Sequence, residues 1–134
     1  MADRVKAPPP PISGADRVVE WFGRWPSLHD AEITAISLNA EGESLISIAA
    51  CEYLPEVEPN GLFKTTKHCR ITLMFSDATE VALESDSGVR QNVILSHDWV
   101  RIGDRLQFSW TSAVGLGGSI CARHWRLEMG PARR

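Results

Sequence analysis

Hydrophobic and polar residues change their rhythm once along this chain. Around residues 15–22, Val18, Val19 and Phe22, with Trp21 beside them, fall on or near one helical face, the spacing that a 3.6-residue repeat requires. Asp16 suits a helix N-terminus, and Gly23 followed by Pro26 stops the pattern, because glycine favours a helix end and proline cannot continue one. One short helix, about Ala15–Phe22, is predicted.

Beyond Glu32 the apolar positions recur every second residue, as in strands with one buried face. Glu32–Leu38 and Leu45–Tyr53 flank the turn Asn39-Ala40-Glu41-Gly42, which predicts an antiparallel hairpin. Leu54–Lys67 carries two prolines and Asn60-Gly61 and reads as a loop or long hairpin connection. Alternation is clearest where Cys69, Ile71, Leu73 and Phe75 interleave with His68, Arg70, Thr72 and Met74. Ser76-Asp77-Ala78 reads as a tight turn into Glu80–Glu84, a second hairpin. Short elements follow at Val93–Leu95 and Trp99–Ile102, then Gly103-Asp104 turns the chain into Leu106–Trp110. A flexible turn, Val114–Ser119, leads to a last strand, Ile120–Met129, whose apolar parity Arg123 interrupts. With no strand–helix–strand alternation, the expected class is α+β. It comprises one short N-terminal helix, over a sheet face or open end, and a mostly antiparallel sheet of six or seven strands.

Composition changes this picture little. At 134 residues the chain suits one domain, expected over residues 14–130, with a Pro-rich flexible arm at 1–13 and a basic tail at 131–134. Pro8–Pro11 favour an extended conformation in that arm. No apolar run approaches the roughly 20 residues of a membrane-spanning helix. MADRVKAPPPP holds no apolar core for a secretory signal, so the expected location is the cytoplasm. Cys51, Cys69 and Cys121 form an odd set without metal-ligand spacing, so they read as small buried hydrophobes. A net charge of −3 opposes a nucleic-acid partner.

Candidate chemistry concentrates in WPSLHDAEI, Trp25–Ile33. If extended, Asp30 and Glu32 project from one side and His29 from the other; if Ser27 begins a helical turn, His29 and Glu32 share a face. The pattern leaves both open. These three polar residues suit bracing of backbone groups between helix and first strand, or an acidic patch for a partner that Glu52, Glu56 and Glu58 extend. A divalent-ion site needs more oxygen ligands than this segment offers. Ser96-His97-Asp98 is consecutive, and a catalytic triad needs histidine between its partners in space. VGLGGS lacks the lysine of a phosphate loop. Trp99, beside charged residues, is a further partner-binding candidate.

The tryptophan-bearing helix, WPSLHDAEI, ITLMFSDATEVALES, RQNVI and the glycine-led GGSICARHW together resemble the bacterial immunity protein 50 family over residues 17–127. The resemblance implies a small non-catalytic protein that occludes a cognate toxin, with no cofactor and no metal. His29, Asp30 and Glu32 match the family motif without inheriting a chemical role. The residues also suit a homodimeric structural or regulatory module and, least of all, a metal-assisted hydrolase using Asp30 and Glu32.

Overall fold

The computed structural model describes residues 9–132. Helix α1 spans Ala15–Phe22 between two left-handed glycines, and the N–H of Gly23 closes it on the Val19 carbonyl at 2.7 Å. Six strands follow: β1 (Glu32–Ser37), β2 (Ser44–Val57), β3 (Phe63–Ser85), β4 (Val93–Ile102), β5 (Arg105–Val114) and β6 (Leu116–Pro131). Every strand pairing is antiparallel, and the order β1-β2-β3-β6-β5-β4 closes into a barrel. The expected helix and mostly antiparallel sheet are therefore present, with six strands.

The barrel interior holds the apolar parity of the strands: Ile33, Ile46, Ile48, Ile71, Leu73 and Phe75 are all nearly or wholly removed from solvent. Helix α1 contributes Ala15, Val18 and Phe22 to the same cluster and packs against β6 and β3. Removing such surface from water is the main favourable term in folding.

Three sequence expectations require correction. Ser76-Asp77-Ala78 is not a hairpin turn, because β3 runs through it and stays paired with β6 on both sides. Asp77 takes a left-handed conformation (φ 58°) that bends the strand, a conformation aspartate tolerates better than most residues. Opposite this bend, Arg123 and His124 are both exposed between buried Ala122 and Trp125. Arg123 therefore breaks the parity because the ladder is kinked there, and its guanidinium bridges Asp77 and Asp104 at 3.0 Å each.

Leu54–Lys67 is the second correction. Strands β2 and β3 extend into it as a two-stranded ribbon, leaving only Glu58–Leu62 outside the strands. Both strands are exposed and their register shifts twice, so no clean alternation marked them. Third, Val93–Leu95 and Trp99–Ile102 are one strand, β4, with register irregularities near Ile94 that hide its period. The Val114–Ser119 turn contracts to Gly115, which lies at φ 85° with a Cβ position blocked by the Gln91 carbonyl.

Of the arm expected over residues 1–13, the first eight lie outside the described residues. From Pro9 the chain lies against the barrel: Pro10 is buried, Ile12 packs on the core, and the Ser13 carbonyl accepts from the Leu127 N–H at 2.8 Å. Of the basic tail, Pro131 ends β6, and Arg133 and Arg134 lie outside the described residues.

Candidate functional site: a cleft beside the barrel seam

WPSLHDAEI is neither a strand throughout nor a helical turn. Leu28 (φ 60°) and Asp30 (φ 70°) are both left-handed, and the Ala31 N–H donates to the Leu28 carbonyl at 3.0 Å. A leucine in that region is uncommon; burial of Leu28, 5 % exposed, offsets the strain. Trp25, Leu28, Ala31 and Ile33 turn inward, and His29, Asp30 and Glu32 turn outward.

The inward half closes the barrel. Strand β1 meets β4 through one ladder pair, Glu32–Val93, and main-chain bonds on either side of it complete the seam. The Asp30 N–H donates to the Ile94 carbonyl, the Ile94 N–H to the Ala31 carbonyl and the Ile33 N–H to the Asn92 carbonyl, each at 2.8 Å. Asn92 also binds the Leu116 N–H at 3.0 Å and the Val89 carbonyl at 2.9 Å through its side chain. Leaving such groups unpaired inside a protein is costly, so each of these bonds fixes the closure.

His97 is clamped across the same seam. The Trp25 indole N–H, which can only donate, reaches His97 Nε2 at 3.1 Å, while His97 Nδ1 lies 2.9 Å from the Ser27 carbonyl. Nε2 is thus the acceptor and Nδ1 carries the proton, the neutral tautomer. Burial holds His97 below the ordinary histidine range, opposed more weakly by the Ser27 bond and the Asp98 charge. Ser96 binds Thr111 at 2.8 Å and Asp98 binds the Trp99 N–H at 3.0 Å, so neither meets the His97 ring as a triad would.

The outward half borders a cleft of about 270 Å³ lined by Phe22, Arg24, Pro26–His29 and Cys51–Tyr53. His29 Nδ1 stands 3.3 Å from the Asp30 carboxylate, both side chains about half exposed. Glu52 pairs with Lys67 at 3.3 Å. Burial pushes the Cys51 thiol up, a hydrogen bond with Tyr53 opposes this, and the Asp30 charge adds to it. A thiol held protonated is a poor nucleophile. Among the described residues, no group of three or more His, Cys, Asp or Glu side chains is placed to hold a metal ion.

The structure thus places His29 and Glu52 on one cleft, with Asp30 beside His29 and Glu32 exposed at the start of β1. Glu56 and Glu58 lie farther out, at the tip of the β2–β3 ribbon. Trp99 stands apart: its ring packs 4.7 Å from Phe108 and 5.0 Å from Trp125 between centroids. Sequence reasoning missed Arg24 and Tyr53 in the cleft and His97 in the seam, because only tertiary contact gives them a shared location.

The family model described as Immunity protein 50 matches residues 14–130. The chain belongs to the immunity protein 50 family. None of the curated proteins or solved structures compared with the chain matches it. Two of the stretches in which the sequence resembles the family, WPSLHDAEI and RQNVI, face each other across the seam of this immunity-family barrel.

Proposed function

We propose that this chain is a non-catalytic, cytoplasmic immunity protein that neutralises a cognate toxin by occluding it, through the cleft and the adjoining β2–β3 ribbon. Membership of the immunity protein 50 family is the observation that carries this reading. The ribbon supplies a means of contact: Tyr53, Val57, Leu62 and Phe63 are 46–66 % exposed, an apolar surface of the kind that marks interaction sites. Glu52, Glu56 and Glu58 lie along it, so a basic toxin surface suits it, and opposite charge speeds encounter. Arg24 and Lys67 at its base add polar contacts that favour one partner orientation.

The reading is tested by co-expressing the chain with the C-terminal domain of a toxin sought in its gene neighbourhood. Growth is expected to be rescued, and Tyr53→Asp with Phe63→Asp is expected to abolish rescue while thermal unfolding stays within a few degrees. Failure of the unaltered chain to rescue or co-purify would overturn it.

A further inference from the structure

The barrel is closed, yet several strand edges extend past their neighbours. Strand β1 pairs with β2 only as far as Ala49, and β6 with β3 only from Cys69, so both edges of the ribbon lack a strand partner, although the Trp21 indole N–H reaches the Lys67 carbonyl at 2.9 Å. That ribbon carries Pro55 on β2, which has no N–H to offer, and Lys64 and Lys67 on β3. These are the residues with which soluble proteins guard an edge. The edge of β4 beyond Ile94 is flanked by the Trp25–Ser27 segment, through His97, and by Pro9–Pro11, which line a hollow with His97, Trp99 and Arg101.

The edge of β3 past Phe75 has no covering segment among the described residues, and its guards are limited to the Asp77 bend, a register shift at Ala78–Glu80 and acidic side chains. Strand β2 leaves β3 at the pair Ser44–Phe75, whereas β3 continues with β6 to the pair Ser85–Leu116. Asp77–Ser85 therefore presents a row of main-chain donors and acceptors on one side, and the segment contains no proline, lysine or arginine. Its side chains sort by face. Val81 and Leu83, opposite Ile120 and Gly118, share the core side and remain 42 % and 36 % exposed. Glu80, Ala82 and Glu84 take the outer side, and Glu80, Glu84 and the following Asp86 have no ion-pair partner among the described residues. Beside this edge lies an open hollow of about 310 Å³ lined by Ala82, Leu83, Glu84, Trp110, Gly118 and Ser119.

We infer that Asp77–Ser85 is a second docking surface, which takes an added strand from a protein partner whose residues alternate between basic and apolar. Main-chain pairing supplies the hold and alternate side chains supply the choice. Basic side chains would lie opposite Glu80 and Glu84, and apolar ones opposite Val81 and Leu83. A second copy of this chain fits less well: pairing two such edges about Val81 sets Glu80 opposite Ala82 and Glu84 opposite Ala78, so neither carboxylate gains the basic partner that a cross-strand pair would favour. The surface stands at the far end of β3 from the ribbon and does not depend on toxin binding there.

Amide exchange on isotope-labelled chain, followed residue by residue, tests this with three probes: a short peptide alternating lysine and valine, its glutamate–valine counterpart, and the lysine peptide N-methylated at alternate positions. The lysine peptide is expected to slow exchange within Asp77–Ser85 by about tenfold or more, with the Phe63–Lys67 amides unchanged. The N-methylated peptide is expected to do nothing, and Glu80→Lys with Glu84→Lys to transfer the preference to the glutamate peptide. Unchanged exchange at millimolar peptide, equal protection by both charge types, or protection at the ribbon instead would overturn the inference. So would a dimer in light scattering that Glu80→Lys with Glu84→Lys alters, which would assign the edge to self-association.

Discussion

Strand β3 is two surfaces in one strand. From Cys69 to Phe75 it lies between β2 and β6 with Ile71, Leu73 and Phe75 in the core, whereas from Asp77 to Ser85 it keeps only β6 and every residue is exposed. Local sequence does not separate the halves, since both alternate apolar with polar residues. The difference is the neighbour: β2 pairs no farther than Phe75, and the remainder of β3 has β6 alone beside it. A strand's burial is thus set by what lies beside it, which its own pattern does not contain.

The sharpest way to break this comparison is to truncate one side chain in each half. Phe75→Ala is expected to cost about 3–5 kcal/mol, the range for a buried aromatic, and Val81→Ala less than about 1 kcal/mol, read by urea unfolding. Similar losses would mean that the two halves are equally packed. Cover of the first half depends on the barrel staying closed, so Asn92→Ala, which removes two side-chain bonds at the seam, is expected to cost about 2 kcal/mol.

The clamp at His97 sharpens the picture through pH. Its folded pKa lies below the ordinary 6.5, with burial as the chief cause. At high pH both folded and unfolded forms are neutral and its contribution is fully present; as pH falls through about 6.5 the unfolded chain binds the proton first and stability declines. The unfolding midpoint is therefore expected to fall between about pH 7.5 and about pH 5.5, with a shallower fall in His97→Asn. A midpoint that rises on acidification would contradict the neutral clamp. The smallest effect belongs to the bare half: Arg123→Gln, which removes exposed ion pairs to Asp77 and Asp104, is expected to shift the thermal midpoint slightly at low salt and not at high salt.

Helix α1 was fully legible, because its apolar face and flanking glycines are local features. The strands were legible wherever one face is buried, as at Cys69–Phe75. Reading failed where burial is absent, along the ribbon, and where a polar residue bends a continuous strand, at Asp77. The cleft was half legible: the spacing of His29, Asp30 and Glu32 and the nearby charge of Glu52 marked polar candidates, of which His29 and Glu52 line the cleft, while Tyr53 and Arg24 join them only through the closure of the barrel. WPSLHDAEI resembled a reactive cluster because its polar residues are the conspicuous ones. Its apolar residues and main chain form the seam.

That seam is tested most directly by hydrogen exchange at the Asp30, Ile33 and Ile94 amides, which donate the bonds joining β1 to β4. Exchange close to the rate of global unfolding is expected, as slow as at Ile71. Exchange as fast as at the exposed ribbon residues Leu62 and Phe63 would show that the barrel is open there and that these residues serve some other purpose.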